Sequence, residues 1–116
     1  MDIKERSYLF ALRIIKMVES LPNDPASRII SDQLLRSGTS IGANIIEAQA
    51  ASSRRDFTNF LNHALKSANE AKYWLAMIKE LLPDKKQEIE IFLKELDEIS
   101  KIIGTSVLTM KGKRNL

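Results

Sequence analysis

The segment from Gln33 to Glu47 constrains this chain more than any other, because it has the period of a helix and yet contains residues that helices disfavour. At about 100° per residue, Gln33, Arg36, Ser37, Ser40, Asn44 and Glu47 fall within one arc of roughly 100°. Leu34, Ile41, Ile45 and Ala48 lie on the other side. Gly38 and Gly42 stand among the apolar residues one turn apart. Each costs about 1 kcal/mol against alanine and offers nothing to pack except a close approach of backbones, so tertiary contacts must offset it. Solvated faces are usually built from Glu, Lys and Gln, whereas Ser and Asn compete with the backbone for hydrogen bonds. The short polar groups therefore point to close contact, with a plain solvated face as the alternative.

Punctuation divides the rest of the chain into four helices. The first runs from about Ile3 to Leu21 and is stopped by Pro22. Asp24 as cap and Pro25 at the first helical position open the second, which persists to about Ala51. Ser52 or Ser53 caps the third, which runs to Leu82 before Pro83 and Asp84 break it. Asp84 with Gln87 forms a capping box for the fourth. That helix reaches at least Ile103. Gly104 is a candidate stop, but Val107 and Met110 continue the apolar spacing. Three short connections between long helices predict an all-α, antiparallel up-down-up-down four-helix bundle over residues 1–110, followed by a basic flexible tail at 111–116.

The first helix has more apolar surface than a bundle needs. Tyr8, Ala11, Leu12, Ile15 and Val18 make one face; Phe10, Ile14, Met17 and Leu21 make a second, roughly 130° away on the wheel. One wide buried stripe is the bland reading, but a four-helix monomer has no central helix, and subunit contacts use such a surplus naturally. On the third helix Phe57, Leu61, Ala64, Ala68, Ala71, Leu75, Ile78 and Leu82 line a core seam, with Trp74, Met77 and Leu81 to one flank.

A chain of 116 residues is one domain, and its lack of cysteine excludes disulfides, thiol nucleophiles and cysteine-type zinc sites. No apolar run approaches a membrane span, and the start carries Asp2, Lys4, Glu5 and Arg6 rather than a signal sequence, so the expected location is cytoplasmic. The net charge of +3 is unevenly spread. Residues 1–79 hold 11 Lys and Arg against 8 acids, residues 80–110 hold 4 against 7, and Lys111, Lys113 and Arg114 follow. The fourth helix is thus acidic and its tail basic.

Catalysis finds little support. His63 is the only histidine, and no Glu-x-x-His pair, phosphate loop, nucleophile elbow or metal-ligand cluster occurs, so no cofactor is expected. The carboxylates from Glu88 to Glu98 interleave with Lys94 and Lys101 as on a solvated face. If the second and third helices turn near Ser52, Arg36 stands level with Ser67 and Glu70. These three, with Gln33, Ser37, Ser40, Asn44 and Glu47, then form a buried polar network that fixes register, ligand binding being the other use. Arg54 and Arg55 at the turn, with Arg13, Lys16, Lys66, Lys72, Lys111, Lys113 and Arg114, are candidates for a phosphate-binding surface, against simple solvation. In a ring of identical subunits each modest cluster is multiplied.

The residues Gln33, Leu34, Arg36, Ser37, Ser40, Ile41, Asn44, Ile45 and Glu47 match, in order, the pattern QLxRSxxSIxxNIxE. By them the chain resembles the 23S rRNA intervening sequence proteins, a bacterial four-helix-bundle family. Ala64, Ser67 and Glu70 match a looser second signature, and the resemblance covers roughly residues 8–82. Lys66 departs from it, standing where the family has glycine. The resemblance implies a homopentamer, and similarity to the accessory subunits of diversity-generating retroelements, which bind nucleic acid and a reverse transcriptase. The expectation is a non-enzymatic homo-oligomer binding RNA or DNA, as accessory to a reverse transcriptase or other nucleic-acid enzyme and without a membrane. The alternative is a protein-interaction scaffold that uses the apolar flank of the first helix and the acidic fourth.

Overall fold

The structure is a computed structural model that describes residues 1–114, with all their side chains except those of Lys111, Lys113 and Arg114. Four α-helices make it up: α1 (Ile3–Glu19), α2 (Pro25–Gln49), α3 (Arg54–Leu81) and α4 (Lys86–Arg114), with a 3-10 turn at Pro83–Lys85. α1 packs on α2, α2 on α3, α3 on α4 and α4 back on α1, which closes an antiparallel up-down-up-down bundle 51 Å long and 23 by 21 Å across.

Short acceptors at the helix starts set these boundaries. The carboxylates of Asp2 and Asp24 accept from the backbone N–H of Glu5 (2.8 Å) and Ser27 (2.9 Å), and the Ser53 hydroxyl accepts from Asp56 N–H (3.1 Å). The Ser27 N–H, helped by its hydroxyl, holds the Asp24 carboxyl below the usual carboxylate range. Asp84 was expected to cap α4; it lies inside the 3-10 turn instead, and that turn begins without a side-chain cap. Helix α4 does not stop at Gly104. It continues through Arg114, four residues into the segment read as a flexible tail, while residues 115 and 116 lie outside the described residues.

The core is a column of Ile14, Leu34, Ile41, Leu75, Leu96 and Ile99, all closed to solvent, with Phe10 and Phe92 in edge-to-face contact. The seam expected on α3 is present: Leu61, Ala64, Ala68, Ala71, Leu75 and Ile78 are buried, and Phe57 and Leu82 pack partly against them. Of the two apolar faces of α1, Phe10, Ile14 and Met17 turn inward. Tyr8, Leu12 and Ile15 stay 64%, 40% and 37% exposed.

The glycines of α2 explain that choice. A Cβ on Gly38 would stand 3.2 Å from Ile14 Cγ2, and one on Gly42 would stand 3.4 Å from Ser7 Cβ, so α1 lies directly on the glycine strip. Gly104 has nothing within 4 Å of such a Cβ. Gly104→Ala should therefore raise stability by about 0.5–1 kcal/mol through helix propensity. Gly38→Leu should lower it by about 1–3 kcal/mol or more, because the side chain must displace Ile14. Urea denaturation of both variants checks the pair, and a neutral Gly38→Leu would mean that α1 does not lie so close.

Candidate nucleic-acid interface

The polar stripe of α2 was expected to reach across to α3, but its short side chains bond back along their own helix. Ser37 Oγ donates to the Gln33 carbonyl (3.0 Å), Ser40 Oγ to the Arg36 carbonyl (2.6 Å), and Asn44 Nδ2 to the Ser40 carbonyl (2.9 Å). Ser37 is buried, Gln33, Ser40, Asn44 and Ser67 are half-buried, and Arg36, Glu47 and Glu70 are exposed. No ion pair joins Arg36 to Glu70; among the described residues Glu70 accepts only a long bond from Trp74 Nε1 (3.4 Å). The expected buried charge network is thus replaced by a seam of small hydroxyls that satisfy themselves, with the long charged chains turned out at its edge. Burial of those charges would have left both without water, and the outward rotamers avoid that cost.

The acidic helix is where the charges pair. Arg6 on α1 forks onto Glu95, with its Nε donating to Oε2 at 3.1 Å and its Nη2 to Oε1, and the same Nη2 reaches Glu98 at 2.7 Å. Lys72 and Lys79 on α3 meet Asp97 (3.0 Å) and Glu90 (3.5 Å). The hydrogen bonds from Arg6 hold the Glu95 carboxyl below the usual range despite partial desolvation, and the two carboxylates raise Arg6. The interleaved Glu and Lys spacing of α4 hid this pairing. The signal that could have found it is the deficit of positive charge in residues 80–110 against the excess before them.

Those pairs also fix the register of α3 against α4. The same antiparallel register, continued from Lys72–Asp97 and Lys79–Glu90, sets Arg55 level with Arg114. Arg54 and Arg55, both exposed in the first turn of α3, therefore share one end of the bundle with the backbone positions of Lys111, Lys113 and Arg114, whose side chains lie outside the described residues. The other candidate cations are elsewhere. Arg13 and Lys16 lie between α1 and α4 toward the opposite end, beside Ser20 and Lys85. Lys66 is exposed on α3, and Lys72 is tied to Asp97. The nine expected residues do not make one surface.

A closed antiparallel arrangement with its acidic helix clamped by cations of two neighbours, and with no helix among the described residues long and apolar enough to cross a membrane, defines a small all-α four-helix bundle. Residues 1–105 match the model of the 23S rRNA-intervening sequence protein family, and the chain belongs to that family. It is similar to a crystal structure of a protein of unknown function from the S23 ribosomal protein family of Bacteroides thetaiotaomicron. The identity is 42% over 91% of this chain and 98% of that one, with a TM-score of 0.85. No curated protein matches the chain.

Two consequences follow for stability. Arg6→Ala should cost about 1–2 kcal/mol, more than an exposed pair because the fork is bidentate and only a quarter open to water. Because the folded state lowers the Glu95 pKa, its contribution is complete above the ordinary value of 4.5 and is lost as pH falls through the depressed folded value. The wild-type loss of stability below that pH should therefore be shallower in Arg6→Ala. By contrast Arg36→Ala and Glu70→Ala should each cost less than about 1 kcal/mol and should add in the double mutant. Urea titrations at several pH values measure all of these.

Proposed function

We propose that this protein is a non-enzymatic subunit of a homo-oligomer that binds RNA or DNA through the basic end of its bundle. It works in the cytoplasm as accessory to a reverse transcriptase or other nucleic-acid enzyme. The observation that carries the reading is the convergence of Arg54 and Arg55 with the C-terminal end of α4 at one end of the bundle. Phosphate binding needs several cations within reach of one backbone, and sequence-distant clusters brought to one level supply them. His63 is exposed and the half-buried Glu95 is held by Arg6, which supports a non-enzymatic reading.

Self-association rests on the exposed face of α1. Tyr8 and Ile46, the latter 49% exposed on α2, line a groove of about 490 Å3 with Ala11, Gly42 and Ala43, and Leu12 and Ile15 continue the exposed apolar face along α1. A contiguous apolar strip of this kind marks an interaction surface. A pentamer is the assembly that the family resemblance implies, and a ring of five would carry five copies of the basic end. The same strip favours the second reading, a protein-interaction scaffold without nucleic-acid binding.

Light scattering coupled to size exclusion should give several times the chain mass of 13.2 kDa, and Leu12→Asp should reduce it. Gel shifts with mixed-sequence RNA and DNA should show affinity falling steeply as salt rises from about 50 to 200 mM. Replacing Arg54 and Arg55 with alanine should weaken all sequences alike and flatten the salt slope by about one per contacting arginine, while the assembly persists. No binding at low salt would leave the scaffold reading.

A further inference from the structure

α1 and α4 pack less closely than any other neighbouring pair of helices. A groove runs between them in two stretches of about 460 Å3 each that share Arg13, Ile91 and Glu95. Its floor is apolar, formed by Phe10, Met17 and Phe92, and Ile91 stands over it 71% exposed. One exposed isoleucine means little alone. The charges around it are the informative part. Every carboxylate of the groove is already matched from within: Arg6 takes Glu95 and Glu98, and Lys85 stands 3.9 Å from Glu88. Arg13, Lys16 and Lys94 line the same groove, are exposed, and form no ion pair among the described residues. An apolar strip is left with a surplus of cations at its edges.

We propose that this groove docks an acidic amphipathic helix of a partner protein, with that helix's apolar stripe on Ile91 and the Met17 end of the floor and its carboxylates beside Arg13, Lys16 and Lys94. Helix-in-groove recognition needs a strip of about four turns, and the groove follows α1 from Met1 to Ser20. Charge complementarity selects the sign of the flanks. Nucleic acid fits less well. Three carboxylates stand among the cations, and the one side chain well exposed over the floor, Ile91, is aliphatic and offers no ring for a base to stack on. A second copy also fits less well, since α1, which carries the other exposed apolar stripe, holds four cations against two acids over Ile3–Glu19. The proposal does not rest on the nucleic-acid reading, which uses the opposite end of the bundle.

The test uses the full chain and fluorescein-labelled helical peptides of eighteen residues, with leucines at 3-4 spacing in four registers and flanks of glutamate or, in a matched set, lysine. Fluorescence anisotropy should show at least one glutamate peptide binding tenfold or more tightly than its lysine counterpart. Arg13→Glu with Lys16→Glu should weaken that peptide at least tenfold and reverse the preference. Ile91→Asp, at an exposed position that folding does not need, should weaken it similarly, while Arg54→Ala with Arg55→Ala should not. The proposal is overturned if no glutamate peptide binds at about 0.5 mM, or if both charge sets bind equally. A fall in oligomer mass on Ile91→Asp would assign the groove to a second copy, and a loss of polynucleotide binding in Arg13→Glu/Lys16→Glu without a peptide effect would assign it to phosphate. Either result also overturns the proposal.

Discussion

The close approach of α1 to α2 at Gly38 and Gly42 is the constraint on which the rest of the bundle depends. With only hydrogen at those positions, Ile14 and Ser7 of α1 come within van der Waals reach of the α2 backbone. That contact selects which apolar face of α1 enters the core and so leaves Tyr8, Leu12 and Ile15 outside. On its other flank α2 packs on α3, whose seam carries the small residues Ala64, Ala68 and Ala71, all closed to solvent. Small residues on both sides pull three helices together, and burial along the resulting seams offsets the propensity cost of two helical glycines. α4 has no comparable small-residue strip against α1, and there the pair stands apart and an open groove remains.

Hydroxyl groups suit such seams because they need no partner from the neighbouring helix. Ser37 and Thr39 return their protons to carbonyls one turn back, at 3.0 and 2.6 Å, and Ser40 and Asn44 do the same. A longer polar chain in the same place would have to reach across, and would then cost the full penalty of an unmatched buried group whenever the geometry failed. The family's short polar motif is therefore a packing device in this chain. Among the described residues two hydroxyls, those of Ser7 and Ser100, are exceptions, buried without a hydrogen-bond partner. At Ser7 smallness against Gly42 is what the contact requires, and the unmatched hydroxyl is its cost.

Helix boundaries were legible because they are written in local chemistry. Pro22, the Asp24–Pro25 pair, Ser53 and Pro83 act within one turn of chain and need no tertiary information, and each helix end they announce falls within two residues of its place. The seam of α3 was legible for a similar reason, since period alone separates its inner face. The orientation of α1 was not, because a helical wheel gives two apolar faces equal standing and only the glycine strip of another helix decides between them. The Arg36–Glu70 network failed on a different point. Level along the bundle axis was inferred from the turn, but both residues lie on the outer flank, where long side chains reach water. For the candidate site, sequence supplied Arg54, Arg55 and the basic C-terminus as separate clusters. Their convergence follows only from the α3–α4 register that two ion pairs set.

Charge in this protein is sorted by what helix packing leaves over. The carboxylates of α4 draw in Arg6, Lys72 and Lys79, and that pairing removes Lys72 from the set of cations free to meet a phosphate. The unpaired cations sit in the open α1–α4 groove, where Arg6 and Lys85 already hold the nearby acids of α4, and at the first turn of α3. A net charge of +3 therefore understates the local fields, because the neutralised pairs line the contacts that α4 makes with α1 and α3 while the surplus collects in the α1–α4 groove and at the first turn of α3. Symmetric assembly through the α1 strip would repeat both surpluses around an axis without mixing them, since they are separated along the length of α3 and α4. One fold can in this way present a basic end and a separate cation-edged groove from a nearly balanced composition.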